Sequence, residues 1–558
     1  MNEEEKLQYI SNYIFKDLKL SEADIINKYP KRDLAEGACV TRFAPSPTGF
    51  IHIGGIYSAL LDERLAHQTG GIFYLRIEDT DKKREVEGTV DMIVKAVNRF
   101  GLNIDEGFDI NCEQIGNYGP YLQSERKEIY QVFVKKLLLA NKAYVCFATQ
   151  EELENIVQIQ TQRKELIGYR KDWAIWRNKT LDEVIENLNL NKSFVIRFKS
   201  EGDFNNKIKF IDQVKGEVEL PDNELDTVIM KSDGLPTYHF AHAVDDHFMQ
   251  TTDVIRGDEW LPSIPIHLQL FKALEFNIPR FYHVSPIEKM EDGSRRKLSK
   301  RKDPEASVEF YYEQGYPVKA IIEYLMNLAS SNYEDWKLQN PDKKIEEFQI
   351  DFTNLKSSGS LFDIEKLNFF SREYIAGMSS DGVYNHVLGW AKTYNNKLFD
   401  LLFNNKEYSN LIFNIEREGV MKKRKDISKW SDVFNEINYF FDNEFNNIKI
   451  DINNINPVSV EDVKMIINEF INTYNNLDEL DVWFSKIKLI AKNLGFAESL
   501  KEYKNNETNY KGYVADVAKI LRLALTGKTQ SPDLYQIMKV MGKDRIINRL
   551  NNFINLLN

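Results

Sequence analysis

The sequence predicts an α/β protein: a parallel-sheet domain split by an insertion, then an all-α region. Three observations point there. A strand–loop–helix–strand run fills residues 39–77, the pattern of a parallel βαβ unit. Strand-like segments resume at Thr227-Val228-Ile229-Met230 and Val254-Ile255-Arg256-Gly257, after a long mixed stretch. From about residue 305 onward the apolar pattern is mainly helical.

Taken in order, residues 1–38 read as a polar helical extension. Leu7, Ile10, Tyr13 and Ile14 recur at helical spacing, and Pro30 breaks the pattern. The first strand lies around Cys39–Phe43. Its helix runs from about Gly55 to Thr69, where Gly70-Gly71 ends it. The second strand, Ile72–Ile77, closes in the acidic turn Glu78-Asp79-Thr80-Asp81. A helix from Ser124 to Ala140 completes the first half of the sheet domain, 39–140. Residues 141–225, with a strand at Phe194–Phe198, form the insertion. The second half spans 226–290, a polar and then helical segment 291–350, and the helical region 351–558.

Two segments carry the chemistry. In Pro45–Gly55, two prolines stiffen a loop that leaves a strand. Gly49, Gly54 and Gly55 let backbone approach a ligand, and a helix begins at once. Free N–H groups at a helix start suit an anion, most simply a triphosphate, and His52 can donate to a phosphate oxygen. The second segment, Arg295-Arg296-Lys297-Leu298-Ser299-Lys300-Arg301-Lys302, holds six cations in eight residues after Asp292-Gly293. It reads as a mobile loop whose lysines close over pyrophosphate as charge develops there.

Thr41-Arg42-Phe43-Ala44-Pro45-Ser46-Pro47-Thr48-Gly49-Phe50-Ile51-His52-Ile53-Gly54-Gly55 and Lys297-Leu298-Ser299-Lys300-Arg301 resemble the two signatures of class I aminoacyl-tRNA synthetases. Over nearly its full length the chain resembles the bacterial glutamyl-tRNA synthetases. Further carriers are Leu75–Asp81, Pro236–His242, Val244–His247, Asp253–Trp260, and Leu525-Thr526-Gly527 with Gly542 and Arg549. The resemblance implies a Rossmann-like catalytic domain, an acceptor-stem-binding insertion at 141–225, a lysine-loop and stem-contact region at 291–350, and anticodon-binding helices at 351–558. It implies ATP-dependent attachment of L-glutamate to the 3′ end of tRNA(Glu) through a glutamyl-adenylate. tRNA(Gln) is a further candidate acceptor, and magnesium accompanies ATP.

The resemblance also implies residue roles. His52, Lys297 and Lys300 are the candidate catalytic groups. ATP is expected against Pro45, Ser46, Thr48, Gly49, His52, Gly54 and Gly55, against Glu259 and Trp260, and against Lys297, Leu298, Ser299, Lys300 and Arg301. Glutamate is expected against Arg42, Ala44, Ser46, Glu78, Tyr238, His242 and Arg256. Physical chemistry agrees: a side-chain carboxylate calls for the planar guanidinium fork, and an ammonium for a carboxylate. Arg42 and Arg256 stand at predicted strand ends, where such sheets meet ligands. His242 occupies a position where many family members carry Asn. In the glutaminyl enzymes the acidic turn usually starts with Asp, so Glu78 favours the glutamyl reading.

His239, His242 and His247 suggest a metal cluster, but no carboxylate or cysteine completes a ligand set at recognisable spacing. The resemblance makes this segment a substrate-pocket strand and the turn after it. Cys39, Cys112 and Cys146 form no Cys-x-x-Cys pair, and no zinc site is expected. Trp173 and Trp176 are expected to pack the insertion. Lys422-Lys423-Arg424-Lys425 with Trp430 and Tyr439-Phe440-Phe441 mixes cations and aromatics, a combination that suits unstacked bases or a solvated helix face.

The net charge of −12 lies wholly before residue 351, because 351–558 holds 27 basic and 27 acidic residues. Charge therefore neither supports nor excludes RNA. No run of about 18 apolar residues occurs, and the acidic start Met1-Asn2-Glu3-Glu4-Glu5 is unlike a secretory signal. A cytoplasmic monomer is expected. Rivals are a glutaminyl-tRNA synthetase, a truncated relative that glutamylates a modified tRNA base, and a non-catalytic RNA-binding paralogue. The long tail argues against the second, and the presence of both phosphate segments against the third.

Overall fold

The computed structural model describes residues 1–49, 51–299, 301–355 and 359–557. The chain divides into two compact units. The first comprises 1–310 and 322–363, the second 311–321 and 364–558.

The first unit begins with α1 (Glu3–Ile14) and α2 (Glu22–Lys28), each opened by a capping box, from Asn2 and Ser21. Then come β1 (Val40–Phe43), α3 (Ile53–Gln68), β2 (Ile72–Leu75), α4 (Thr89–Arg99), the short ribbon β3 (Gly107–Phe108) and β4 (Gln114–Ile115), and α5 (Lys127–Leu139). All four β1 residues are buried, as a central parallel strand covered on both faces requires.

β1 and β2 pair in parallel from Val40↔Ile72 to Phe43↔Leu75. The insertion holds β5 (Ala143–Cys146), α6 (Gln150–Arg163), α7 (Leu181–Asn189), β6 (Val195–Phe198), and the antiparallel ribbon β7 (Lys207–Asp212) and β8 (Gly216–Pro221). Next in the chain are β9 (Val228–Met230), α8 (Tyr238–Phe248), β10 (Asp253–Gly257), α9 (Ile264–Leu274), β11 (Arg280–Val284) and the hairpin β12 (Glu288–Glu291) and β13 (Ser294–Lys297).

The catalytic sheet runs β2-β1-β10-β11. β10 and β11 are parallel, and the Thr252 amide donates to the Val40 carbonyl at 3.0 Å, joining the two pairs. Two expectations need correction. Residues 228–230 do not resume this sheet; β9 pairs antiparallel with β6 in the insertion's three-stranded sheet β5-β6-β9. Conversely β7, from the inserted stretch, joins the catalytic sheet, with Asp212 opposite Phe281 on β11. The sequence misleads here because short apolar runs do not reveal which sheet they enter.

The N-terminal extension is fastened to both parts. The Tyr13 hydroxyl donates to the Leu188 carbonyl at 3.0 Å, at the end of α7, and Lys135 on α5 reaches Asn12. Arg32 forks onto Glu106 with two 2.8 Å bonds and lies 3.7 Å from the Tyr118 ring centre. It also donates to the Met249 carbonyl at the end of α8.

His67, in the last turn of α3, lies between Asp105 (2.9 Å) and Glu63 (3.5 Å). These carboxylates, Asp105 foremost, raise the imidazole to about 9. The folded value exceeds the unfolded one, so this stabilisation is complete below about pH 6.5 and fades as pH climbs through 9. Solvent screening at this partly exposed site leaves about 1–2 kcal/mol. His67→Gln is expected to lower the urea midpoint at pH 6 and to approach the parent near pH 10. Equal midpoints at pH 6 would dismiss the pairing.

In the second unit the described residues are mainly helical, around a core that includes Val433, Tyr439, Phe440, Ile466 and Leu521. Arg549 is buried there. It donates to the carbonyls of Tyr439 and Leu525 and pairs with Asp442 at 2.6 Å.

Candidate active site

The candidate site lies at the carboxyl ends of the parallel strands. β1 supplies Arg42, β10 supplies Arg256, and the turn after β2 supplies Glu78, whose amide donates to the Pro45 carbonyl at 3.0 Å. Arg42 is buried, donates to the Ile255 carbonyl at 3.3 Å, and has its Nε 3.6 Å from Asp246. Glu78 accepts from Arg76 at 3.1 Å. Burial raises its carboxyl above the usual range, although Arg76 and Arg42 oppose the shift.

The segment expected as a strand is the helix α8. Thr237 precedes it, and Tyr238, His239 and His242 share one helical face. Tyr238 lies 4.4 Å from the Trp260 ring and stacks on His242 at 5.9 Å. Its phenol is pushed up by burial, within the field of Arg256, Glu78 and Arg42. The hydroxyl of this half-buried tyrosine thus lies within electrostatic reach of two guanidinium groups and a carboxylate. His242 is fully buried beneath Tyr238, 3.0 Å from Asp246, and burial foremost lowers its imidazole to about 4. His247 faces elsewhere and stacks on Phe276 at 3.8 Å.

Beneath the pocket runs a buried ionic network that the sequence reading leaves unassigned. Arg76 donates to Asp246 at 2.7 Å. Asp245 accepts from Arg126 (2.6 Å), Gln123 and the Tyr130 hydroxyl (both 2.8 Å). The available signal was an arginine flanked by Leu75 and Ile77, and two adjacent acids following the apolar pair Ala243-Val244.

In the loop after β1, His52 is the N-cap of α3. Its Nδ1 accepts from the Gly54 amide at 2.9 Å, which leaves the ring proton on Nε2 as a donor. A Cβ at Gly54 would stand 3.0 Å from that Nδ1, so any larger residue there would crowd the capping ring. Ala44 and Pro45 are half-buried, Ser46 and Thr48 exposed, and Gly49 has φ +130°. Gly55 lies against Phe43.

The basic segment is not a loop throughout. Arg295–Lys297 belong to β13, because Asp292 and Gly293 both adopt positive φ and turn a hairpin. Asp303 anchors the stretch after β13: it accepts both arms of the Arg296 fork (2.6 and 2.8 Å) and the Ser299 amide (2.8 Å). Its carboxyl is held well below the usual range, Arg296 being the main cause. Leu298 is buried and Arg301 exposed. Lys297 pairs with Glu259 at 2.9 Å, both half exposed. Such a pair contributes about 0–1 kcal/mol, so Glu259 holds Lys297 only weakly. Lys300 lies outside the described residues. The segment returns to His52, which bridges Ser307, and the Val308 amide donates to the Ile51 carbonyl.

Cys146 contacts Tyr169 and Arg197, and Trp173 and Trp176 pack against that small cluster. Among the described residues no three His, Cys, Asp or Glu side chains are arranged to hold a metal, and no helix is long and apolar enough to cross a membrane. In the second unit the aromatics suggested for base stacking, Trp430, Tyr439, Phe440 and Phe441, are core residues. Arg424 is buried on Asp426 and the Ile412 carbonyl. Lys422, Lys423 and Lys425 remain at the surface.

A parallel sheet with a histidine-capped loop at one strand end and a lysine hairpin returning to it is the layout of a class I nucleotide-activating synthetase. The family model for class I tRNA synthetases (E and Q), catalytic domain, matches residues 38–369, and that for an anticodon binding domain matches 417–554. Glutamate–tRNA ligase of Clostridium perfringens strain 13 is 46% identical over 542 residues, covering 97% of this chain and 99% of the relative. That of Acetivibrio thermocellus is 44% identical over 526 residues, covering 94% and 95%. The solved glutamate tRNA ligase from Elizabethkingia meningosepticum, in complex with its amino acid, superposes with a TM-score of 0.72 at 29% identity, covering 93% of this chain and 100% of that one. The chain belongs to the glutamate–tRNA ligase family of class I tRNA synthetases.

Proposed function

We propose that this protein joins L-glutamate to the 3′ end of tRNA(Glu) at the expense of ATP, as a monomer in the cytoplasm. The observation that carries the reading is the pocket around Tyr238, where Arg42, Arg256 and Glu78 offer two cations and one anion. Glutamate presents a side-chain carboxylate to match the guanidinium pair and an ammonium to match the carboxylate.

In the first step a glutamate α-carboxylate oxygen attacks the α-phosphate of ATP. Glutamyl-adenylate forms and pyrophosphate leaves. Arg256 and Arg42 hold the side-chain carboxylate, Glu78 the ammonium, and Tyr238 and Ser46 supply hydroxyl contacts. The Ala44 backbone lines the same side, and His242 supports Tyr238 from below. His52 donates from Nε2 to a phosphate oxygen, while Lys297 and Lys300 stabilise charge arriving on the pyrophosphate. The remaining phosphate contacts fall to Pro45, Thr48, Gly49, Gly54, Gly55, Leu298, Ser299 and Arg301, with Glu259 and Trp260 near the nucleoside. Magnesium, when bound with ATP, would neutralise triphosphate charge, and Glu259 is the carboxylate here that could help hold it. In the second step the terminal ribose hydroxyl attacks the activated carbonyl and AMP departs. The catalytic contribution is positioning and charge stabilisation, with no covalent enzyme intermediate.

The test is charging of purified tRNA(Glu) and tRNA(Gln) with labelled glutamate or glutamine and ATP. Glutamyl transfer to tRNA(Glu), with release of pyrophosphate, is expected. Absence of glutamyl transfer would sink the proposal. Transfer to tRNA(Gln) as well would place the enzyme among those that charge both.

A further inference from the structure

Arg256 is held differently from Arg42 and Arg76, the other two buried guanidinium groups near it. Arg42 and Arg76 face carboxylates directly, Asp246 above all. Around Arg256 no carboxylate among the described residues comes within ion-pair distance. Its partners are imidazoles. Nε donates to His283 Nε2 at 3.0 Å, and Nη1 meets His267 Nδ1 at 3.2 Å. Nη2 is buried and makes no well-aligned hydrogen bond among the described residues, with Tyr238 beside it.

These contacts set the protons. An arginine has only donors, so both imidazole nitrogens facing it must be bare. His283 then carries its proton on Nδ1 and donates it to Asp212 at 2.6 Å. His267 carries its proton on Nε2, 3.0 Å from His239 Nδ1. Asp212 is buried and is fixed in turn by the amides of Val214, Lys215 and His283. Burial alone would raise its carboxyl, but the His283 bond and these amides outweigh it and hold it ionised. Burial keeps His267 and His283 neutral.

We propose that His267 and His283, the latter set by Asp212 from the inserted ribbon, are positioning residues that present Arg256 as an uncompensated cation, so that the pocket demands an anionic side chain and rejects its amide. The proposal rests on the glutamate reading above. A carboxylate in either imidazole position would neutralise the guanidinium, and a neutral amide would then satisfy it equally well. With neutral acceptors in contact, and Asp246 beyond ion-pair distance, the guanidinium gains a direct counter-charge only when the substrate brings one. The Asp212 charge is spent on four hydrogen-bond donors and is separated from Arg256 by a whole imidazole ring.

The decisive pair is His267→Asp and His267→Asn. Both lose the ring and both can place an oxygen near the former Nδ1, so they differ chiefly in charge, the asparagine also bringing an NH2 donor. Aminoacylation kinetics are measured for each with glutamate and with glutamine, at saturating ATP and tRNA(Glu). H267D is expected to lose on the order of tenfold more of the glutamate-to-glutamine kcat/KM ratio than H267N, mainly through the glutamate KM, with the ATP KM little changed. Equal ratios in the two variants would overturn the proposal. If the pair does not fold, Asp212→Asn, which conserves volume, takes its place. It frees His283 to adopt the other tautomer and should raise the glutamate KM several-fold without moving the ATP KM, and an unchanged glutamate KM would overturn the proposal. Failure of the parent protein to use glutamate would instead remove the functional reading.

Discussion

Arg256→Gln is expected to lower kcat/KM for glutamate on the order of a thousandfold while leaving the KM for ATP within about twofold. The size comes from truncating a buried charge that meets an opposite charge, which costs roughly 2–5 kcal/mol or more. Glutamine lacks that charge on the γ-group, so its use should fall far less and the preference between the two should narrow sharply. The cleanest readout is competition between labelled glutamate and glutamine in a single charging reaction. Unaltered glutamate kinetics would remove Arg256 from the substrate side of the pocket. The structure suggests why the penalty is so large: the guanidinium is buried and its other contacts are already committed to His267 and His283.

The second large effect concerns the network under the pocket. Asp245 has no exposed surface and compensates Arg126, with Gln123 and Tyr130 completing its shell. Asp245→Asn leaves the Arg126 guanidinium buried without its anion, which costs about 3–5 kcal/mol. Urea unfolding followed by tryptophan fluorescence should show a markedly lower midpoint, with the glutamate-binding defect appearing only as the protein unfolds. A midpoint equal to the parent would mean that the network gives no net stabilisation. Replacing Asp245 and Arg126 together by apolar residues of similar size should recover much of the loss, because no orphaned charge then remains.

How far the sequence could be read differs between the two sides of the site. Arg42, Glu78 and Arg256 were legible because each stands at or just after a recognisable strand, and parallel sheets gather such positions along one edge. The His52 loop was legible because proline, glycine and a helix start are local features. Tyr238 and its histidines were readable as residues but not as a helix, since a short apolar run does not declare its period. The basic segment misled in another way. Its cations suggest a solvated loop, yet Asp292-Gly293 between charged residues also signals a hairpin, and Asp303 holds the result in place. The tail's aromatics resemble a base-stacking set in composition, and only packing reveals them as core. Asp212 with His283, and Arg76 with Asp246, were out of reach, because each pair joins residues distant in the chain across surfaces that local pattern does not describe.

The matched family model starts at residue 38, just ahead of the first strand, yet Arg32 comes earlier. Its guanidinium ties Glu106, at the rim of the sheet, to the last carbonyl of the helix whose other end bears Tyr238. A polypeptide trimmed to residue 38 would keep Arg42, Glu78, Tyr238 and Arg256 while depriving the buried Glu106 of its guanidinium partner and untethering the far end of the helix that carries Tyr238. The leader is thus a keystone of the catalytic half rather than an appendage to it.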